Sequence, residues 1–430
     1  MPTWLFVFAI ISMLIVVLLV FLILFEPGLE YRVTPLRTPL DSREFIHTLG
    51  ALSDAMPHGD STVRVLTNGD VFYESELEAI RNARSTVNLE RYIFRRDEIG
   101  RRYVEAMAER ARAGVKVKVV LDYVGSFTTW DRFFKPLREA GGKVCWYQPV
   151  RWYTFKRFNN RTHRDLLIVD GRVGFVGGAG VADWWMKETD QPQWRDTMFR
   201  VEGEAVAGLQ ATFAENWLES SGGILSGGAD YFPVVRHEGL PPDATTKAAL
   251  VVNSDPSAGK ATRARVLFQT LLACAGKRID ITTPYFLPDH SARREMIRAI
   301  KERGVRVRII VPGRHSDHLL TRRAGRRRYG DLLEAGAEIH EYEPSMIHTK
   351  SLVIDDLWCV FGTTNFDNRS FGINDEVNVA ACDDPLARRL NEDFERDLAH
   401  SHRVTLEEWR RRPLSERVVE WASLVLERQS

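Results

Sequence analysis

The chain contains one series of segments twice, and this internal repeat constrains its fold more than any other feature. The first half contains STVNLERYIF, ARAGVKVKVVLD, LREAGGKV and THRDLLIVDGRVGFVGGAG, and the second contains GKRIDITTPYF, KERGVRVRIIVP, LLEAGAEI and IHTKSLVIDDLWCVFGTTN. Matching residues keep a nearly constant offset, which is 190 from Gly114 to Gly304 and 185 from His163 to His348. Such self-similarity predicts two lobes of the same fold, related by a pseudo-twofold axis.

Each copy of the repeat predicts an α/β lobe. The segments RYVEAMAERARAG and REMIRAIKERG carry apolar residues at helical spacing and end at a glycine that can cap a helix. The segments VKVKVVLD and VRVRIIVP follow directly and have the alternating, β-branched pattern of strands. Because strands alternate with helices, we expect a mostly parallel core sheet in each lobe.

The repeat and the local composition together indicate the domain boundaries. We assign residues 61–235 to the first lobe and residues 247–400 to the second. Residues 236–246 are polar and contain a pair of prolines, so they are predicted to link the lobes. Residues 29–60 are interpreted as a further linker and residues 401–430 as a helical tail.

The N-terminal residues 1–28 are predicted to form a transmembrane anchor. Residues 4–25 carry no charge, and about 20 apolar residues span a bilayer as a helix. A cleaved signal peptide is the alternative, but it requires a basic start and a shorter apolar stretch. Three arginines follow the apolar stretch and none precedes it, which predicts a single-pass protein of the cell membrane with its body in the cytoplasm; they are Arg32, Arg37 and Arg43.

Charge and cysteine content exclude several other classes of protein. The chain has 59 Lys and Arg against 58 Asp and Glu, whereas proteins that bind nucleic acid through its phosphates have a large excess of basic residues. We therefore expect no nucleic-acid partner. The cysteines stand far apart, which disfavours both a disulfide framework and a thiolate metal site; they are Cys145, Cys274, Cys359 and Cys382.

The two longest matching segments each contain a histidine at the same place. In a strand His348 and Lys350 project from the same face, so an imidazole lies beside a cation. This pair suits chemistry at phosphorus, where negative charge must be held while a nucleophile attacks. A buried strand with a capping histidine is the alternative interpretation, but the equivalent His163 in the other half favours a site.

The pattern H-x-K-x4-D followed by G-[GST]-x-N, present in both halves, resembles that of the phospholipase D superfamily. The segment FDNRSF after Asn365, and WRD ending at Asp196, are similar to the bacterial cardiolipin synthase branch. The resemblance extends from about Val63 to the C-terminus. It implies a bilobal α/β fold whose two histidines face one shared site without a metal or another cofactor. It also implies exchange of phosphatidyl groups through a phosphohistidine.

The resemblance also assigns roles to individual residues. The motif positions expected to be catalytic are His163, Asp170, His348, Lys350 and Asp355. The positions expected to bind substrate are Asp196, Asn365, Arg369, Ser370 and Glu376, among which Asp196 and Glu376 resemble the carboxylates that orient the histidines.

The first copy of the motif departs from the pattern at two positions. Asp165 stands where the family has lysine, and Gly180 stands where it has asparagine. Either Asp165 turns away or is protonated, or other basic residues compensate, or catalysis is impaired. Asp165 could instead raise the pKa of His163 and favour a proton-donor role for it. The family pattern makes His163 the nucleophile, whereas the intact lysine beside His348 argues for the opposite assignment, so both remain open.

Three other segments are interpreted as surfaces. Residues 151–158 interleave cations with aromatic rings, which favours a membrane interface over base stacking. Five arginines within residues 322–328 form either a solvated helix face or a site of attraction to anionic headgroups. Residues 416–426 carry an apolar helical stripe that is expected to dock on the protein itself.

These observations favour a membrane-anchored phosphatidyltransferase of the cardiolipin synthase type. The expected partners are the membrane and phospholipid substrates, namely phosphatidylglycerol with phosphatidylethanolamine as a second candidate. The alternatives are a phospholipase D-type hydrolase, a phosphodiesterase that cleaves nucleic acid, and a catalytically weakened lipid-binding member of the family.

Overall fold

The computed structural model describes residues 3–25, 29–150, 159–187, 192–234, 246–255 and 262–413, without the side chains of residues 19–25 and 320. Three sequence predictions therefore lie wholly outside the described residues or nearly so: the cationic and aromatic residues 151–158, the linker 236–246 except for its last residue, and the apolar stripe 416–426.

Two helices and a short strand precede the first lobe. They are α1 (Thr3–Phe25), α2 (Arg43–Ser53) and β1 (Pro57–His58). Among the residues that the structure describes, no helix combines the length and the apolar character needed to cross a bilayer, so the predicted transmembrane anchor is not supported there.

The first lobe contains a seven-stranded sheet with the order β2-β8-β7-β6-β3-β4-β5. Its elements are β2 (Ser61–Thr67), α3 (Gly69–Arg81), β3 (Thr86–Arg91), α4 (Glu98–Arg112), β4 (Lys116–Asp122), α5 (Lys135–Glu139), β5 (Lys143–Tyr147), β6 (Leu166–Val169), β7 (Val173–Gly177), β8 (Thr197–Gly203) and α6 (Ala205–Ser221).

The second lobe repeats this plan in a nine-stranded sheet with the order β1-β9-β15-β14-β13-β10-β11-β12-β16. Its elements are β9 (Ala248–Ser254), α7 (Arg263–Cys274), β10 (Arg278–Thr282), α8 (His290–Arg303), β11 (Arg306–Pro312), α9 (Leu319–Arg327), α10 (Tyr329–Ala335), β12 (Glu338–Tyr342), β13 (Ser351–Ile354), β14 (Trp358–Gly362), α11 (Asn368–Gly372), β15 (Glu376–Cys382), α12 (Asp384–Ala399), β16 (Ser401–Val404) and α13 (Leu406–Arg410).

The prediction of two similar α/β lobes is confirmed, but the prediction of mostly parallel sheets is wrong. Parallel pairing is confined to β3-β4-β5 and to β10-β11-β12, where a helix connects each pair of strands. The motif strands β6-β7 and β13-β14 pair antiparallel. The reason is the short turn between them, because parallel neighbours need a crossover of a dozen or more residues.

The two sheets share one apolar core, and this contact holds the lobes together. Phe199 of the first lobe stacks on Phe361 of the second, with ring centroids 4.0 Å apart and planes at 17°. Leu166 and Val353 belong to the same buried cluster. Since these strands bury both faces, they appear as continuous apolar runs in the sequence. The remaining faces pack against α3 and α4 in the first lobe and against α7 and α8 in the second.

The segment predicted to be a linker, residues 29–60, is instead largely part of the second lobe. Strand β1 pairs with β9, and α2 buries Phe45 and Leu49 in the second-lobe core. Ser42 caps α2 by accepting a hydrogen bond from the Phe45 N–H, as short polar residues do at helix starts. This helix is amphipathic and buries about one residue in three. Its apolar face therefore packs on the second lobe instead of facing solvent.

The boundary predicted at residue 400 also shifts. Residues Ser401–Val404 form β16 at the edge of the second sheet rather than the start of a helical tail. The indole of Trp409 in α13 donates a hydrogen bond to the Arg326 carbonyl at 2.7 Å, so the second lobe extends through α13.

Candidate active site

A cavity of about 330 Å³ lies between the lobes, and both motif histidines line it. His163 lies three residues before β6 and His348 three residues before β13, so the repeat places them at equivalent positions. The other lining residues include Asp165 and Gly180 from the first lobe and Asn365, Arg369, Ser370 and Asn374 from the second.

Backbone hydrogen bonds between the lobes position each histidine. The His163 N–H donates to the Asp375 carbonyl at 2.9 Å, and the His348 N–H donates to the Arg195 carbonyl at 2.7 Å. Each histidine is therefore tied to the residue that directly precedes a buried carboxylate of the opposite lobe.

Those carboxylates contact the imidazoles. Nδ1 of His163 lies 3.1 Å from Oε2 of Glu376, and Nδ1 of His348 lies 3.0 Å from Oδ2 of Asp196. A carboxylate that accepts the Nδ1 proton fixes the tautomer and leaves Nε2 free to react or to carry a proton. Both carboxyl side chains are completely buried and lie behind the histidines, so their assignment to direct substrate binding is corrected.

The two histidines differ in their electrostatic surroundings. Burial alone would lower the pKa of His163, but the charge and hydrogen bond of Glu376 outweigh it, and the pKa is raised. Burial and the charge of Lys350 together lower the pKa of His348 against the opposing effect of Asp196. The pair thus combines one imidazole that favours the protonated form with one that favours the neutral form.

Lys350 lies beside His348 and does not line the cavity. Its Nζ is 3.1 Å from Nδ1 and 3.3 Å from Nε2 of the imidazole, and it donates to the His348 carbonyl at 3.0 Å. The two side chains lie together as expected, although both residues precede β13, and the lysine contacts the histidine rather than the cavity.

Asp165 lines the cavity and is only 3% exposed, so it does not turn away from the site. Burial raises its pKa to about 6, while the charge of Arg91 opposes the rise. Two arginines line the same cavity, Arg161 of the first lobe and Arg369 of the second.

The structure explains why glycine occupies position 180. A Cβ atom there would lie 2.6 Å from the Ile93 carbonyl oxygen, closer than side-chain carbons approach backbone. Val181 is tied to the same strand end, since its N–H donates to the Ile93 carbonyl at 2.8 Å. No asparagine can therefore take the equivalent role in this lobe without a shift of the backbone.

The second-lobe wall of the cavity contains buried polar atoms that make no hydrogen bond with the described residues. Oδ1 of Asn365, Oγ of Ser370 and Oδ1 of Asn374 are buried and have no hydrogen-bond partner among the described residues. Because buried polar groups are normally hydrogen-bonded, three such atoms on one wall indicate a ligand-binding surface. Asn365, Arg369 and Ser370 therefore lie where the resemblance places substrate contacts.

Sequence reasoning missed several residues around the histidines. Tyr285 lines the cavity with its ring centroid 6.4 Å from that of His348, and Trp185 packs against the same imidazole at 5.8 Å. Tyr285 and Ile93 occupy equivalent positions in the two copies, and both line the cavity, so alignment of the repeat contained a signal for them. Arg161 had no such signal.

The catalytic assignment of Asp170 and Asp355 is contradicted by their positions. Asp355 follows Lys350 by five residues, which places it about 16 Å further along the strand. Its carboxylate accepts hydrogen bonds from the backbone N–H groups of Gly276, Lys277 and Arg278. Asp170 accepts equivalent bonds from residues 84–86. Both residues anchor the turn that enters the neighbouring strand.

We expect Asp355→Ala to lower stability by about 1–3 kcal/mol without lowering the activity per folded molecule, because three backbone donors lose their acceptor. Urea unfolding together with activity normalised to folded protein would measure both effects. Asp356→Ala is the matched control, since both residues have a positive φ but Asp356 makes side-chain contacts only, with Arg278 and Asn391. If the Asp355→Ala variant were fully folded but inactive, Asp355 would have a catalytic role after all.

Within the described residues no group of three or more His, Cys, Asp or Glu side chains is arranged to hold a metal ion. The polar groups around the cavity are three imidazoles, three carboxyl groups, amides, hydroxyls and two guanidinium groups.

Comparison with known proteins identifies the family. The family model described as "Cardiolipin synthase, PLD-like domain" matches residues 77–217 and 268–398. Cardiolipin synthase 1 of Bacillus anthracis is 34% identical over 368 residues, covering 84% of this chain and 71% of that protein. The major cardiolipin synthase of Bacillus subtilis (strain 168) is 34% identical over 393 residues, covering 91% and 80%.

The fold comparison agrees with the family match. A crystal structure of phosphatidylserine synthase from Haemophilus influenzae Rd KW20 superimposes with a TM-score of 0.67 at 14% identity, covering 89% of this chain and 99% of that one. The chain therefore belongs to the cardiolipin synthase family of phospholipase D-like proteins.

Proposed function

We propose that this protein is a phosphatidyltransferase of the cardiolipin synthase type, which moves a phosphatidyl group from one phospholipid to the hydroxyl group of another. The observation that carries the proposal is the pair of histidines on one cavity, each held by a carboxylate of the opposite lobe. An imidazole with one nitrogen fixed and the other facing a cavity is suited to attack phosphorus or to transfer a proton.

In the first step we assign the nucleophile to His348. Its Nε2 forms a bond to phosphorus while the bond from phosphorus to the leaving glycerol oxygen breaks, and His163 gives that oxygen a proton. The lowered pKa of His348 favours its neutral form, and the raised pKa of His163 favours its protonated form. The resemblance by itself suggests the opposite order, and the charge of Lys350, which lowers the pKa of His348, supports the reversal.

In the second step the acceptor lipid replaces the departed glycerol. Its hydroxyl gives its proton to His163 as the oxygen bonds to phosphorus, and the bond from phosphorus to His348 breaks. His163 regains the proton that it gave away, and His348 returns to its neutral form. The same two groups thus act in reverse order, as general acid and base catalysis requires.

The second-lobe wall is proposed to hold the phosphate. The Nδ2 group of Asn365 and the hydroxyl of Ser370 can donate to non-bridging oxygens, and Arg369 and Arg161 add positive charge to the cavity. Preorganised donors and cations of this kind stabilise the charge that develops at phosphorus in the transition state.

The proposed activity is tested by incubating the purified protein with vesicles of phosphatidylglycerol, with and without phosphatidylethanolamine, and identifying the products by mass. Cardiolipin is the expected product. Phosphatidic acid alone would show that water is the acceptor and that the protein is a hydrolase. Unchanged lipid would contradict the proposal and favour a lipid-binding role.

We also propose that the protein works at a membrane surface, with α1 as its attachment. Apart from Thr3 and Ser12, the described side chains of α1 are apolar, and most are exposed, for example Trp4, Phe6 and Phe8 at 64–67%. The chain that follows α1 is tied to the second lobe, because the Tyr31 N–H donates to Ser291 Oγ at 2.9 Å.

A second apolar surface adjoins the mouth of the cavity. We call residues 123–132 the aromatic loop. Val124 lines the cavity, whereas Phe127 and Trp130 of the same loop are 68% and 49% exposed. Guanidinium groups of Arg96 and Arg132 lie 4.6 and 4.3 Å from the Trp130 ring centroid. Exposed rings combined with cations are typical of segments at the interface of an anionic membrane.

We expect the double variant Phe127→Ala, Trp130→Ala to raise KM for lipid presented in vesicles by about tenfold, since two rings no longer insert at the interface. The rate with a monomeric short-chain lipid should stay unchanged, because neither ring lines the cavity. Ile224→Ala, which truncates an exposed apolar residue outside the aromatic loop, is the control. An equal loss with both forms of lipid would contradict a role in membrane contact.

A further inference from the structure

The two copies of the repeat carry opposite charges at equivalent positions. Alignment of the repeat pairs Asp165 with Lys350, and Arg91 with Thr283. The first half therefore combines a carboxylate with a buried arginine, where the second half combines a lysine with a threonine. Of these residues, Asp165 lines the cavity.

The first lobe is built to support a carboxylate. The Tyr92 N–H donates to Oδ1 of Asp165 at 3.2 Å, and Arg91 is fully buried. Burial raises the pKa of Asp165 to about 6, and Arg91 contributes the strongest opposing charge. The side chain is therefore mainly ionised at neutral pH. Without the charge of Arg91, burial would raise its pKa further.

The second carboxylate oxygen is available to a ligand. Among the described residues, Oδ2 of Asp165 accepts no hydrogen bond, although the side chain lines the cavity. A carboxylate repels the oxygens of a phosphate but accepts a strong hydrogen bond from a hydroxyl group. Two donors that suit a phosphate, the Ser370 hydroxyl and the Arg369 guanidinium, lie on the other lobe. Asp317 and Asp367 also line the second-lobe side, but Asp165 is the lining carboxylate two residues from His163, so a hydroxyl group has an acceptor near the proposed base.

We infer that Asp165 binds a hydroxyl group of a polyol acceptor, such as a glycerol headgroup, and makes the first lobe the acceptor-binding half of the site. This inference rests on the proposed transfer reaction. One hydroxyl of the acceptor attacks phosphorus and gives its proton to His163, as described above, while a neighbouring hydroxyl donates to Oδ2 of Asp165. Asp165 thereby selects a polyol over water or a simple alcohol.

The test is a competition between soluble acceptors. Full-length protein is incubated with phosphatidylglycerol vesicles and equal concentrations of deuterated glycerol and 1-propanol, and the labelled phosphatidylglycerol, phosphatidylpropanol and phosphatidic acid are quantified by mass. The wild type is expected to prefer glycerol. Asp165→Asn should reduce the ratio of glycerol to propanol product by roughly 10- to 100-fold, the value of a hydrogen bond to a charged group. Total consumption of donor lipid should change much less.

The control is Asp331→Asn, which neutralises a surface carboxylate paired with Arg293 and should leave the ratio unchanged. An unchanged ratio in Asp165→Asn would overturn the inference. A parallel fall of all products would also overturn it, because Asp165 would then position His163 instead.

Two further outcomes need no variant. Equal use of glycerol and 1-propanol by the wild type would overturn the inference even if Asp165→Asn failed to fold. Complete absence of products from the wild type would show that the proposed transfer itself is wrong, and the inference would be overturned with it. A failure of the inference alone is distinguishable, because the wild type then still converts lipid.

Discussion

His348→Ala is expected to reduce phosphatidyl transfer and hydrolysis by at least about 10³-fold, because the nucleophile that bonds to phosphorus is removed. The protein should still fold, since His348 is held to Arg195 by its backbone N–H, which alanine retains. Mass spectrometry of the intact protein after mixing with phosphatidylglycerol should detect no covalent phosphatidyl adduct.

His163→Ala should behave differently, because it lacks the proton donor but keeps the nucleophile. We expect a comparable loss with natural lipids and a smaller loss with a 4-nitrophenyl phosphatidyl ester, whose leaving group departs as an anion without needing a proton. An adduct should then accumulate, since no base activates the acceptor. His402→Ala, a half-exposed histidine paired with Glu408, is the control. An adduct on His348→Ala but none on His163→Ala would reverse our assignment.

Glu376→Gln is expected to lower kcat/KM by about 10²-fold and to move the alkaline limb of its pH profile to lower pH. The protonated form of His163 is needed in the first step, and the charge of Glu376 holds its pKa above the ordinary value. Removing that charge lowers the pKa, so protonated His163 is lost at a lower pH than in the wild type. The size of the loss corresponds to removal of a partner that orients a reacting imidazole.

Asp196→Asn provides the contrast. Asp196 opposes the lowering of the His348 pKa, so its removal lowers that pKa further. Because His348 must be neutral, the acidic limb should move to lower pH while the alkaline limb stays in place. Profiles of kcat/KM between pH 4 and pH 10, with melting temperatures measured alongside, would separate the two variants. An unchanged alkaline limb in Glu376→Gln would contradict the acid role of His163.

Membership in the family and the presence of two lobes were predictable because their signals are local. Helical and strand periodicity, glycine caps and the repeated histidine motif each depend on residues close together in the chain. The cavity-lining positions of His163, His348, Asn365, Arg369 and Ser370 followed from the same motifs.

Other predictions were wrong where a residue's position or role depends on contacts with residues far away in the sequence. Asp170 and Asp355 belong to the motif in sequence, but a four-residue strand carries them to the opposite end of the sheet, where they accept backbone N–H groups. Residues 29–60 appeared to be a linker because α2 finds its apolar partner, Trp358, more than 300 residues later.

The sequence alone determined that the chain folds into two similar lobes, each carrying a reactive histidine, because each lobe is encoded by contiguous segments whose periodicity sets their own structure. Only the tertiary structure decided that each histidine takes its carboxylate from the other lobe. It also decided that Glu376 raises the pKa of His163, while burial and Lys350 lower that of His348. The physical reason is that hydrogen-bond partners and burial are set by the packing of one lobe on the other, and a residue's neighbours in sequence do not specify that contact.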